Sequence, residues 1–542
     1  MKKSLALFFC AASVVNAGPI DPTTTEPKEQ KREYINWHNA DPTLDHIQGV
    51  STEQAYGLLK NKKSRTVRVA IIDSGIDINH EDLKGKIWTN SGEIPGNGID
   101  DDKNGYVDDI HGWNFIGGAD GKNVNYETLE LTRLYRKYQK QFDGRSADQI
   151  SASEKHAYEA YQAVKQEYDR QLEEARRESE SIENIASAFQ YTDGVIKNHL
   201  GKAKYTLADL EAIQSDDEMI MKAADFLKLL LRNKFSVADL DQAQQHYREL
   251  LHYNLNLEFN PRDIVGDNPE ENSDVHYGNA DVIGVDPEHG THVAGIVGAQ
   301  RGNGLGLDGI AENVEIMVIR AVPSGDERDK DVANAIRYAV DNGAQIVNMS
   351  FGKSYSPHKQ WVDEAVRYAE SHGVLLVHAA GNDAENNDVT PNFPTNAYSD
   401  NGPAAQNWIT VGATSRTQDL DFVANFSNYG NASVDVFAPG VDIYSTLPHN
   451  EYDLRSGTSM ASPVVTGVAA LVWSYYPELS AEQLKEVLVK SSLRYRGKVY
   501  RPDEEGHKKK VKFKKLSTSG GVVNAYEAVK LAEELTSRTA RK

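Results

Sequence analysis

Three short segments place a carboxylate, an imidazole and a hydroxyl group among small residues. They read IIDSG at 71–75, HGTHVAG at 289–295 and GTSMASP at 457–463. Asp73, His289 and Ser459 are the acid, base and nucleophile that acyl transfer through a serine needs. The chain order Asp, His, Ser differs from that of the strand-to-helix serine elbow, whose G-x-S-x-G pattern is absent around Ser459. The segments indicate acyl-transfer chemistry without that elbow.

Each of these side chains also has a structural interpretation. A carboxylate at the end of a strand can cap a turn, and a serine at the start of a helix can be a simple N-cap. His292 lies one helical turn after His289 and competes for the role of base. Zinc is disfavoured because the H-E-x-x-H pattern is missing. Asp77 and Asp82 are interpreted as surface acids.

The elements that carry these residues follow a parallel α/β pattern. Apolar runs, typical of buried parallel strands, alternate with amphipathic helical patterns from Val67 onward. This alternation predicts an α/β fold with a parallel sheet covered by helices on both faces. Asp73 falls at the end of the first run, and Pro463 is expected in the first turn of the helix that begins at Ser459. The predicted strands are 67–72, 314–322, 344–351, 374–381 and 409–413, and the predicted helices between them are 331–342 and the pattern around 361–369.

Together with Ala379-Ala380-Gly381-Asn382, the three segments resemble the motifs of the subtilisin family of serine peptidases. The resemblance covers residues 67–118 and 276–496. It implies that Asp73 orients His289, and that His289 removes the proton of Ser459. It also implies that Asn382 donates its amide to the oxyanion, beside the backbone N–H of Ser459 at a helix N-terminus.

The same resemblance implies where a substrate binds. Ser350-Phe351-Gly352 is similar to the segment that pairs with an extended peptide in this family. Gly352 and Gly381 would line the first side-chain pocket. Neither segment carries a charge, so we expect an apolar or broad side-chain preference.

The chain departs from the family between the Asp and His segments, because His289 lies 216 residues after Asp73. The surplus, residues 119–275, has helical patterns at 153–181, 217–231 and 236–255. We expect an all-helical insertion, which is either a solvated appendage or a lid over the substrate cleft. Many relatives in this family have a folded inhibitory propeptide before the Asp segment. Residues 18–66, which precede this segment here, form an N-terminal arm that is too short for such a propeptide, so the usual activation route is in doubt.

The first 17 residues read as a signal peptide, with Lys2 and Lys3 before an apolar stretch. The one cysteine, Cys10, lies inside it, so the processed chain would contain no disulfide. A lipoprotein is less favoured, and no later segment is long and apolar enough to predict a membrane span. A secreted or periplasmic protein is expected. Residues 497–542 are predicted to pack on the catalytic domain.

The charge of the chain bears on its partners. A net charge of −21 over 542 residues argues against nucleic-acid binding and favours bound cations. Oxygen-bearing residues alternate along 100–109 in the manner of half a calcium loop, although the twelfth position holds His111 instead of glutamate. The alternative is an acidic surface turn. The expected structural Ca²⁺ ligands are Asp100, Asp102, Asn104, Tyr106 and Asp108.

These features predict a secreted serine endopeptidase that hydrolyses polypeptides through an acyl-enzyme, without a catalytic cofactor. A peptide ligase or transacylase remains an alternative, because an amine could intercept the same acyl-enzyme. A non-catalytic peptide-binding protein on the same scaffold is the other alternative. The sequence leaves the natural substrate, the maturation cuts and the oligomeric state open.

Overall fold

The computed structural model describes residues 32–233, 235, 237–503 and 506–539. The predicted signal peptide and Cys10 lie outside these residues. The described residues form two compact units, one made of residues 34–130 and those from 260 onward, and the other made of residues 131–259 together with residues 32–33. The compact inserted unit is therefore shorter than the predicted 119–275, because both flanks of that range belong to the larger unit.

The larger unit is built around a nine-stranded sheet. Its strands are β1 (Val67–Asp73), β2 (Gly112–Asn114), β3 (Val314–Arg320), β4 (Ile346–Met349), β5 (Leu375–Ala379), β6 (Trp408–Thr414), β7 (Val436–Pro439), β10 (Leu493–Arg494) and β13 (Gly521–Val522). Two antiparallel hairpins join β8 (Ile443–Leu447) to β9 (Glu451–Arg455) and β11 (Lys498–Arg501) to β12 (Lys509–Lys512). The sheet order is β10-β13-β7-β6-β5-β4-β1-β3-β2, and only β10 and β13 pair antiparallel.

Helices cover both faces of this sheet, as the sequence predicted. Val69 and Ile71 of β1 join the core that holds the serine-bearing helix, whereas Ala70 and Ile72 pack into the core on the opposite face. A strand buried on both faces favours apolar side chains, which explains the continuous apolar run at 69–72 before Asp73. The helices of the larger unit are α1 (Thr52–Leu59), α7 (Arg262–Val265), α8 (Glu288–Gly298), α9 (Asp329–Asp341), α10 (Lys359–Ser371), α11 (Thr458–Tyr475), α12 (Ala481–Lys490) and α13 (Ala525–Thr539).

The inserted unit is helical. Its helices are α2 (Glu130–Phe142, whose first residue belongs to the larger unit), α3 (Lys155–Leu200), α4 (Leu207–Glu211), α5 (Glu218–Arg232) and α6 (Val237–Glu249), which continues into a π-helix at Leu250–Asn254. Ile196 of α3, Leu210 of α4 and Leu227 of α5 are buried in one core of this unit. The predicted helices at 153–181, 217–231 and 236–255 all exist, and α3 is longer than its pattern indicated.

The segments at the two ends of the larger unit pack into its main core. Trp37 and Leu59 from the N-terminal arm are buried there, as are Ala528 and Val529 of α13. The indole N–H of Trp37 donates to the carbonyl of Asp442 at 2.9 Å. Among the described residues, no helix combines the length and the apolar character that crossing a membrane requires.

Candidate active site

Three neighbouring strands deliver candidate residues to one edge of the sheet. Asp73 ends β1, Ser350 follows β4, and Asn382 follows β5 after a short turn. The strands lie side by side in the order β5-β4-β1. Because parallel strands end at the same edge, side chains far apart in sequence converge there.

The carboxylate of Asp73 is hydrogen-bonded to His289. Asp73 Oδ1 and His289 Nδ1 are 2.7 Å apart, and the backbone N–H of Ser74 donates to the same oxygen at 2.8 Å. Asp73 is 1% exposed, while the His289 side chain is 42% exposed. Burial alone would lower the pKa of His289. The charge and hydrogen bond of Asp73, with smaller contributions from nearby carboxylates, outweigh burial, so this pKa is raised above its usual value. Nδ1 is thus held as the proton donor, and Nε2 is left to act as a base.

Ser459 is the second residue of α11, not its N-cap. Gly457 holds the N-cap position, so the capping interpretation of this serine does not apply. The Ser459 hydroxyl donates to the carbonyl of Ser350 at 3.0 Å, and no hydrogen bond joins it to His289 among the described residues.

The backbone at Ser459 is fixed by a proline and a hydroxyl. Pro463 lies beyond the first turn of α11, which corrects the sequence prediction for its position. It has no N–H to donate to the carbonyl of Ser459 four residues earlier. The Ser350 hydroxyl donates to that carbonyl at 2.9 Å and lies 2.8 Å from the Ser462 hydroxyl. A buried side chain thus satisfies the carbonyl that the proline leaves free.

Two N–H donors flank the space beside Gly457. The side-chain oxygen of Asn382 accepts from the Thr458 amide and hydroxyl at 2.9 Å each, which fixes the orientation of its NH₂ group. A Cβ added at Gly457 would lie 3.5 Å from the Ser459 amide nitrogen and 3.6 Å from Asn382 Nδ2. A tetrahedral oxyanion placed between these donors would be stabilised, and losing one such donor typically costs about 3 kcal/mol of transition-state stabilisation.

The two glycines of the proposed pocket have a common neighbour, Asn392. A Cβ at Gly352 would lie 2.5 Å from Asn392 Nδ2, and one at Gly381 would lie 3.1 Å from the same atom. The carbonyl of Phe351, which precedes Gly352, lies 2.8 Å from Nε2 of the His378 ring. The sequence analysis missed Asn392, since nothing in the local pattern indicates that it lies beside both glycines.

Three nearby polar residues have structural roles. His292 is fully buried, its Nε2 lies 3.0 Å from the carbonyl of Ile443, and burial lowers its pKa to about 3. It is therefore neutral and packed, which leaves His289 as the candidate base. Asp77 and Asp82 are buried as well, so the prediction that they are surface acids was wrong. Asp77 accepts backbone N–H groups, one of them from His449 at 2.9 Å.

The acidic loop at 100–109 brings part of the predicted metal set together. Carboxylate oxygens of Asp100 and Asp102 lie within 4.8 Å of each other and of Glu93, which the sequence analysis missed. No Lys or Arg lies within 4.0 Å of these three carboxylates in the described part of the chain. The other expected ligands have different partners.

The other three expected calcium ligands, Asn104, Tyr106 and Asp108, form hydrogen bonds within the protein. Asn104 donates its amide to Asp109 at 3.0 Å and to Asp102 at 3.3 Å. Asp108 accepts backbone N–H groups of residues 96–98, the shortest at 2.8 Å. The phenol of Tyr106 donates to the carbonyl of Val275 at 3.2 Å.

The sheet, the Asp–His pair and the serine near a helix N-terminus define a class of protein, the serine peptidases with the chain order Asp, His, Ser. The sequence profile of the Subtilase family matches residues 64–522. The chain therefore belongs to the subtilase family.

Individual relatives resemble part of the chain. It is 44% identical over 187 residues to the "Thermophilic serine proteinase" of Bacillus sp. (strain AK1). The aligned region covers 34% of this chain and 42% of that protein. It is 40% identical over 204 residues to "Subtilisin DY" of Bacillus licheniformis, covering 37% of this chain and 68% of the relative. A solved protease structure from Pseudoalteromonas arctica covers 47% of this chain and 78% of that chain, at 26% identity and a TM-score of 0.38.

Proposed function

We propose that this chain is a secreted or periplasmic serine endopeptidase that cleaves polypeptides through an acyl-enzyme. The observation that carries the proposal is the hydrogen bond between buried Asp73 and His289, in the unit that also holds Ser459 at a helix N-terminus. Export is supported by the signal-like first 17 residues.

The proposed reaction uses the geometry of the site directly. After the Ser459 hydroxyl turns from the Ser350 carbonyl, His289 Nε2 removes its proton as Oγ attacks the scissile carbonyl. Asn382 Nδ2 and the Ser459 amide stabilise the oxyanion. The imidazolium, paired with Asp73, then protonates the leaving amine, and water hydrolyses the acyl-enzyme. The neutral surroundings of Gly352, Gly381 and Asn392 support a broad or apolar preference in the first pocket.

Labelling with a fluorophosphonate probe tests this proposal. The wild-type chain is expected to be labelled stoichiometrically, and Ser459→Ala is expected to remain unlabelled, because only an activated serine reacts. Labelling that persists in Ser459→Ala, or a folded wild type that resists the probe, would contradict the proposal. Mass spectrometry of products formed with an added amine separates hydrolysis from the transacylase alternative, and a non-catalytic binding protein would release no product.

We further propose that the acidic loop binds a structural Ca²⁺ ion. Glu93, Asp100 and Asp102 supply the hard oxygen ligands that Ca²⁺ prefers, and three clustered carboxylates without a nearby Lys or Arg would otherwise repel one another. Glu93 is only 7% exposed. Bringing three negative charges together at this position supports a bound cation, and the ion would brace the loop without entering the reaction.

Removal of calcium is expected to lower the thermal stability of the protein. An ion present at about 100 times its Kd contributes about 2.7 kcal/mol, so chelation should lower Tm by about 3 °C in a unit of this size. Glu93→Gln should lower Tm similarly and abolish the response to chelator in differential scanning calorimetry. Asp120→Asn, which changes an exposed acid paired with Lys122, serves as the control and should keep the full response. An unchanged Tm of the wild type after chelation would refute the metal site.

A further inference from the structure

The first turn of α8 is linked to the strand that leads to the nucleophile. Glu288, next to His289, accepts from Nε of Arg455 at 2.9 Å and also from its Nη2. Arg455 ends β9, four residues before Ser459. The side chains of Glu288 and Arg455 are 47% and 23% exposed, so the pair lies at the surface of the site and not inside the core.

From one turn after Glu288, side-chain hydrogen bonds attach α8 to the β8–β9 hairpin. The Thr446 hydroxyl donates to the carbonyl of Thr291 at 2.7 Å, and the Ser445 hydroxyl donates to that of His292 at 2.7 Å. These bonds hold the helix from Thr291 onward. The Glu288–Arg455 pair adds a connection in the turn that carries His289.

Several charged groups surround the imidazole of His289. Asp73 approaches from β1, Asp286 from the loop before α8, and Glu288 is the first residue of α8. All three carboxylates favour the protonated ring. His292 is neutral because burial lowers its pKa to about 3. Arg455 on β9 is the cation paired with Glu288, and Asp453 of the same strand lies 3.8 Å from its other terminal nitrogen, so the guanidinium offsets part of the negative charge near the imidazole.

We propose that Arg455 is a positioning residue for His289 that acts through Glu288. The pair ties the turn bearing the base to the strand leading to Ser459, and it balances the carboxylate beside the imidazole. Both effects require the guanidinium to stay on Glu288. This inference rests on the proposed peptidase function and assigns it a further residue.

The electrostatic effect of the pair on His289 is tested by the pH dependence of kcat/KM, which should shift in opposite directions when Arg455 and Glu288 are replaced. The neutral form of His289 is the active base, so anything that raises its pKa moves the acid limb of kcat/KM to higher pH. Arg455→Gln leaves the Glu288 charge unpaired and should move this limb to higher pH by about half a unit, the size expected for one surface charge that water and salt largely screen. Glu288→Gln should lower it by a similar amount, and the double variant should return it close to the wild-type position.

The magnitude of kcat tests the positioning component. Arg455→Gln, Glu288→Gln and the double variant should each lose about tenfold in kcat, without the two losses multiplying, because each removes the same connection. Arg455→Lys keeps the charge but not the forked guanidinium, so its acid limb should stay at the wild-type pH while kcat still falls.

The outcomes separate this inference from the proposed function. Acid limbs that shift in the same direction in both single variants, or do not move, would overturn the role of Arg455, as would kcat losses that multiply in the double variant. In each of these cases a wild type that reacts with fluorophosphonate and cleaves peptide keeps the proposed function intact. A folded wild type without either activity would refute the function itself.

Discussion

Replacing Ser459 by alanine is expected to lower kcat for peptide hydrolysis by about 10⁶-fold, a magnitude known from subtilisin, a member of this family. The variant keeps Asn382 and the backbone donors but has no hydroxyl for His289 to activate. Only slow attack by water on the bound peptide remains. KM should change little, because Ser350-Phe351-Gly352 and the pocket beyond them are unaltered. Steady-state kinetics on a chromogenic peptide measure both constants.

The matched control is Ser474→Ala, which removes a buried hydroxyl near the other end of α11. That hydroxyl donates to the carbonyl of Leu471 at 2.7 Å and contacts no candidate catalytic group. Its kcat should stay within a few-fold of the wild-type value. Comparable losses in both variants would mean that disturbing the helix, and not removing the nucleophile, causes the effect.

Asp73→Asn is expected to cost about 10⁴-fold in kcat at neutral pH. The asparagine amide would donate to Nδ1 of His289, which places the ring proton on Nε2, where the base must be free. The negative charge that stabilises the imidazolium is lost as well. Asp77→Asn makes the same chemical change four residues later, at a carboxylate not bonded to His289, and should keep most of the activity if the protein folds.

The residual activity of Asp73→Asn should also shift in pH. In the wild type the charge and hydrogen bond of Asp73 raise the pKa of His289 above 6.5, so the acid limb of kcat/KM should lie above that value. Without the carboxylate, burial dominates and lowers this pKa, and the acid limb should move to lower pH. An acid limb that stays in place would show that a group other than His289 controls it.

Local sequence signals were enough to predict the fold and to select the candidate residues of the site. Continuous apolar runs located the strands to within a few residues, since a strand buried on both faces admits few polar side chains. The Asp73 strand illustrates this, because the predicted range 67–72 differs from the observed strand by one residue. The small residues around His289 and Ser459 identified the motifs before any geometry was known.

Relations between distant segments could not be predicted in this way. Glu93 lies outside the acidic repeat that suggested a metal site, yet the loop turns back onto it. Asn392 and Arg455 belong to no motif, and their importance comes from what they contact across the fold. Asp77 was assigned to the surface because acids usually are exposed, although backbone N–H groups satisfy its charge in the interior.

The hydrogen bond between Asp73 and His289 closes a chain loop of 216 residues, and the helical unit at 131–259 accounts for more than half of it. The entropy lost on closing a flexible loop grows only with the logarithm of its length, by about 0.6 kcal/mol per doubling. An insertion of this size thus costs the acid–base pair only about 1 kcal/mol. Evolution can lengthen or exchange the chain between these two residues at little thermodynamic expense to the pair.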